Sequence, residues 1–179
     1  MYKISMDNAL KAKIMISYIA GGIIILLVCF TIVLPAIKRR RRKKKIENLT
    51  KACRRLVAES RLAIEYSEYI GYRFIGMDRR NRKLVLVDHS GEHKQELCIP
   101  LVQIGDSKVI TEKDDSSKLK AVFLELKNKW NNKILRFPFY DSTEDSEWLL
   151  PTLSKKAIYW KTTVDIHKRI GGVGVEGLL

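Results

Sequence analysis

The tightest constraint on this chain lies near its start. Residues 14–34 run for 21 positions without a charge. After Pro35, Ala36 and Ile37 come eight consecutive cations: Lys38, Arg39, Arg40, Arg41, Arg42, Lys43, Lys44 and Lys45. As a helix the uncharged run would extend roughly 31 Å, close to the thickness of a bilayer's hydrocarbon core. A buried soluble helix of that kind would need protein on every side, which a chain of 179 residues can hardly supply. A cleaved signal peptide fits less well, because the apolar run exceeds the roughly 7–15 residues of an h-region and no Ala-x-Ala-like site follows. The expectation is one transmembrane helix over 14–37. Cations resist translocation, so 1–13 becomes a short extracytoplasmic tail and the rest of the chain lies in the cytoplasm. The expected localisation is therefore the cell membrane, single-pass, with the lipid bilayer as first partner.

The charge balance supports a division at the cationic block. Lys and Arg number 34 against 20 Asp and Glu, a formal +14, yet from Ile46 onward 23 cations face 19 anions. A domain so mildly basic argues against nucleic acid as partner, and the block carries no interleaved aromatics for base stacking. Beside a membrane, the eight cations would set orientation and touch anionic headgroups, each adding about 1 kcal/mol close to the surface. Cys29 falls in the span, while Cys53 and Cys98 have no paired spacing, as expected of free thiols in a reducing compartment.

Residues 46–70 lack Pro and Gly, and Ile46, Leu49, Cys53, Leu56, Ser60, Ala63 and Ile70 recur at three-four spacing. An amphipathic linker helix is predicted there, stopped by Gly71. The pattern then becomes extended. Residues 72–77 and 83–88 flank a polar turn, and further strand-like pieces lie at 95–99, 101–104 and 108–111. A second long hairpin pairs 119–127 with 134–140. On its arms Val122, Leu124 and Leu126, and then Leu135, Phe137 and Phe139, alternate onto one face and are the leading core candidates. A last helix is predicted over 153–170, with Leu153, Ala157, Trp160 and Val164 on one stripe, Thr152 or Ser154 as cap, and Gly171 and Gly172 as stop. Residues 171–179 form a Gly-rich tail. The fold class is α+β: a transmembrane helix, a linker helix at 46–70, then over 71–170 an antiparallel sheet or partial barrel closed by a C-terminal helix.

This order of elements, carried by the 119–140 hairpin and the helix around Trp160, resembles the pleckstrin-homology-like domains of bacterial membrane-anchored proteins. The resemblance spans about residues 72–170. It implies a scaffold for protein or lipid, without catalysis. Lipid recognition in that fold draws on basic residues of the first hairpin turn, and Arg79, Arg80, Arg82 and Lys83 occupy the corresponding stretch, a possible ligand or lipid turn.

Catalytic and metal-binding patterns are weak. His89 and His93 have i, i+4 spacing, but Ser90 and Gly91 between them predict a turn rather than a rigid helical face, and Cys98 has no reason to converge on them. Asp88, His89 and Ser90 are the side chains of a hydrolytic triad but sit as sequence neighbours, which disfavours alignment. His167 extends the apolar stripe of the last helix, as a hydrogen-bonded, half-buried histidine would. The acidic residues at 114–115 and 141–147 lack the glycine-containing spacing of a calcium loop, and no phosphate-binding glycine loop is present. The expectation is no cofactor, no metal and no catalytic residue. The primary functional reading is a membrane-anchored interaction or scaffold module with an unidentified membrane or cytosolic protein partner. Its alternatives are an anionic-lipid or membrane-surface sensor and a small membrane-bound hydrolase using His89, His93 or Cys98.

Overall fold

The computed structural model describes Tyr18, Cys29, residues 34–91 and residues 94–169. The chain divides into two compact units, Met1–Ile46 and Glu47–Leu179. In the first unit the described segment is the opening of helix α1, Leu34–Glu59, with Pro35 in its first described turn, where a missing N–H is tolerated. The cationic block 38–45 is exposed and helical. Eight consecutive residues at 3.6 per turn cover more than two turns, so its charge encircles the helix instead of forming one face.

Among the described residues no helix is long and apolar enough to cross a membrane. That overturns the expected transmembrane helix at 14–37, and with it the expected single-pass localisation with N-terminus outside. The part of that range described as continuous helix, 34–37, runs directly into the cations of α1. The remainder, apart from Tyr18 and Cys29, lies outside the described residues, as do the tails 1–13 and 171–179.

The second unit holds the α+β domain. Its strands are β1 (Tyr66–Ile70), β2 (Arg73–Asp78), β3 (Lys83–Asp88), β4 (Gln95–Pro100), β5 (Ile104–Lys113), β6 (Leu119–Asn128) and β7 (Ile134–Asp141), followed by helix α2 (Leu150–Arg169). All pairings are antiparallel, in sheets of order β1-β2-β3-β4 and β5-β6-β7.

The linker helix is eleven residues shorter at its C-terminus than the 46–70 expectation. It stops at Glu59, where Arg61 takes a left-handed conformation (φ 49°), Arg61 N–H donates to Ala58 O and Leu62 N–H donates to Val57 O at 2.9 Å. This is the Schellman pattern of a helix end, made here without glycine. Leu62 folds back into the apolar cluster that includes Leu56 and Val57. The chain released at that point becomes β1, a seventh strand. Gly71, expected to stop the helix, instead turns β1 into β2 at φ 58°, a conformation glycine adopts without strain. Residues 101–103, read as extended, form a 3₁₀ turn after Pro100. Helix α2 begins at Leu150, earlier than Thr152 or Ser154 would cap it, with Pro151 in its first turn.

Two apolar clusters hold the domain together. The larger lies between the sheets and α2 and includes Leu84, Leu86, Leu124, Phe137, Phe139, Ala157 and Trp160. It takes in both predicted triplets, with Leu135 only partly buried. The smaller covers the other face of the first sheet: Leu49, Ala52 and Cys53 of α1 meet Phe74 of β2 and Val85 and Val87 of β3. Gly76 belongs to this layer, since a Cβ there would stand 2.9 Å from the Phe74 ring.

Candidate functional site

The β2–β3 turn is built around Asp78, which is fully buried. Its carboxylate accepts from Asn81 N–H at 2.8 Å, from the Asn81 side-chain amide at 2.7 Å and from Ala63 N–H at 2.7 Å. Burial alone would disfavour the charge. These donors, with the Arg80 N–H, outweigh it and hold the carboxyl below the usual range. The turn is therefore a rigid platform pinned to the loop between α1 and β1, and Arg79 and Arg80 project from it.

These arginines border a hollow of about 360 Å³, lined by Glu65, Arg79, Arg80, Arg82, Leu101 and His167. Arg79 lies over the Tyr66 ring at 5.7 Å from its centroid, and that ring stands 6.0 Å from the imidazole of His167. Glu65 is 3.6 Å from Arg79 and 3.9 Å from Arg80, contacts too open to neutralise either cation strongly. His167 donates its Nδ1 proton to Thr163 O at 2.8 Å, since a carbonyl can only accept. Its neutral Nε2 is then an acceptor and becomes a donor on protonation. Arg82 sits at φ 53°, a position glycine would occupy without strain, and directs Nη2 toward the carbonyls of His167 and Lys168, each at 3.4 Å. The turn is thereby tied to the C-terminal end of α2, where cations are favoured.

Three of the four turn residues singled out in the sequence, Arg79, Arg80 and Arg82, are thus brought to one hollow, and Lys83 is not: it opens β3. The turn is the second hairpin turn, because β1 precedes it. Glu65, Tyr66 and His167 were missed as its neighbours. His167 is more than 80 residues from the turn, and no local pattern encodes that approach. Lys38, Arg39, Arg40, Arg41, Arg42, Lys43, Lys44 and Lys45 belong to the other unit.

The catalytic candidates do not assemble. Ser90 donates both N–H and Oγ–H to Asp88, at 2.9 and 2.6 Å, while His89 Nε2 meets Glu96 at 3.1 Å, so the serine and the histidine engage different carboxylates. Glu96 also pairs with Arg55. Burial opposes its ionisation, but His89 and Arg55 lower its pKa on balance. His93 lies outside the described residues. Among the described residues no three His, Cys, Asp or Glu side chains are grouped to hold a metal ion. Asp114 and Asp141 spend their carboxylates on turn hydrogen bonds to Ser116 and Thr143. The buried cation Arg73, 1 % exposed, donates to Asp145 at 2.8 Å and to Phe139 O at 3.3 Å and joins the first sheet to β7 and the chain beyond it.

No protein-family model, no curated protein and no solved structure matches the chain.

Proposed function

We propose that residues 47–169 form a non-catalytic binding module, similar in plan to pleckstrin-homology-like domains, that receives an anionic group of phosphate type in the hollow beside the β2–β3 turn. The four-plus-three division of the strands and the closing helix support the likeness. The observation that carries the ligand class is the concentration of three guanidiniums around one carboxylate on a pinned turn. Guanidinium groups match phosphate oxygens in pairs of charge-assisted hydrogen bonds. Arg79 and Arg80 make the contact, Arg82 positions the turn, and His167 adds a donor when protonated. The natural bearer of the anion is a partner molecule of the module, in keeping with an interaction or scaffold role.

Isothermal titration with inorganic pyrophosphate tests this reading, in a full-length background where Lys38 to Lys45 are replaced by Gln so that the helix does not compete. Saturable binding is expected, weakened about tenfold or more when Arg79→Gln and Arg80→Gln are combined. Equal binding by that double variant would reject the assignment.

A further inference from the structure

β4 is an edge strand of the first sheet and β7 of the second, and the two do not pair. Where residues of β4 come beside the start of β5, the end of β6 and the start of β7, the main core opens to solvent. The opening is a cleft of about 200 Å³. β4 contributes Leu97 and Ile99, β5 Ile104, β6 Leu126, and β7 Ile134 and Leu135.

Burial falls abruptly at this seam. Leu86 and Leu84 on β3 are 2 % and 0 % exposed, yet Leu97 and Ile99, their register partners on β4, are only partly buried although they pack on the same core. Apolar surface is left open there, and Ile134 across the seam is half exposed. The other lining residues are Gln103, Asn128, Lys127 and Lys133, so every charged residue of the cleft is a lysine. Among the described residues neither lysine has a carboxylate within ion-pair distance.

We propose that this seam binds the aliphatic chain of an anionic amphiphile, with Lys127 and Lys133 drawing its head group to the mouth. Six of its lining side chains are aliphatic and its charged groups are both cations, a lining that matches a hydrocarbon chain carrying an anionic head. An added peptide strand is disfavoured by the edges themselves. Pro100 ends β4 and Pro138 interrupts β7, each removing a ladder donor, and β6 and β7 shift register at Val122/Phe123. The cleft shares no lining residue with the arginine hollow and stands independently of the function proposed for it.

The test is a chain-length series. Full-length protein is titrated with hexanoate, octanoate and decanoate, each below its micellar concentration, while backbone amides are followed by NMR. Shifts are expected at 97–104 and 126–135, and the dissociation constant should fall about fourfold for each methylene that enters, until the cleft is filled. Octylammonium should bind about tenfold more weakly than octanoate, because the head group now repels both lysines. Ile134→Asp, at an exposed position, should abolish the chain-length effect without changing the melting temperature, and Lys133→Gln should weaken octanoate while keeping that effect. Phosphatidylglycerol vesicles that shift the same amides and displace octanoate would trace the chain to a bilayer lipid; octanoate binding untouched by vesicles would trace it to a free amphiphile. A dissociation constant independent of chain length, or Ile134→Asp binding like wild type, would overturn the proposal.

Discussion

The first sheet is covered on both faces and the second on one, and the two regions read differently as a result. In β2 every residue from Arg73 to Asp78 is buried, and in β3 all but Lys83 are. The α1 cluster lies on one side of these strands and the main core on the other, so their apolar residues run consecutively. In the second sheet Val122, Leu124 and Leu126 face the core, while the opposite face carries Glu125, whose carboxylate is held by Arg136 at 3.0 Å, and Arg136 also reaches Glu112 at 2.9 Å. On that face charge appears in pairs, with Glu125 only 4 % exposed against Arg136; in the first sheet, covered on both faces, the buried charge of Arg73 is answered by Asp145 and Asp88.

The largest contrast should come from placing a carboxylate on the two outer faces. Val85→Asp, fully buried under α1, should cost about 5 kcal/mol and unfold the domain at room temperature, whereas Ile110→Asp on the outer face of β5 should cost no more than about 1 kcal/mol. Urea denaturation of both variants measures the difference, and similar losses would break the comparison. Arg73→Met should cost about 4 kcal/mol, because it strands Asp145 and Asp88, both largely buried, without their cation. Leu49→Ala, which thins the cover of the first sheet, should cost about 3 kcal/mol and should speed hydrogen exchange in β2 and β3 before β6.

The second sheet is clamped to α2 by an acid-sensitive contact. Asp165 accepts from Ser107 Oγ on β5 at 2.6 Å and pairs with Lys161 and Lys168. Burial opposes its charge, yet these three partners lower its pKa to about 2. A depressed carboxyl stabilises the fold above its unfolded pKa and loses that contribution as pH falls through the folded value. Wild type should therefore lose about 2 kcal/mol between pH 4 and pH 2 that Asp165→Asn does not lose, as acid titration of thermal stability will report. The smallest effect concerns Cys53, whose thiol is pushed up to about 11 by burial between α1 and the first sheet, aided by the charge of Glu96. It should resist thiol reagents at pH 8 in the folded protein and become reactive in Leu49→Ala at the rate of α1 opening.

These contrasts also account for what could be read in the sequence. The 119–140 hairpin was legible because one-sided burial preserves a period of two, and the helix at Trp160 because its stripe keeps a period near 3.6. β1 was hidden: residues 46–70 contain no Pro or Gly, and the helix end is made by Arg61 in a conformation its side chain does not advertise. The membrane helix was inferred from apolarity over 14–34, a stretch lying almost wholly outside the described residues, and the helix that the structure does describe from Leu34 is charged. Of the hollow, the arginines were visible as a cluster, and the Asp78, Asn81 spacing could have signalled a pinned turn. Tyr66, Glu65 and His167 join it only through tertiary packing.

The most direct test of the anion site is the response of the Arg79 and Arg80 guanidinium Nε–Hε resonances to inorganic pyrophosphate in the full-length protein. Saturable shifts of both, accompanied by the amides of 78–83 and 166–168, are the expected result. Shifts confined to the cations at 38–45, with the turn silent, would contradict it.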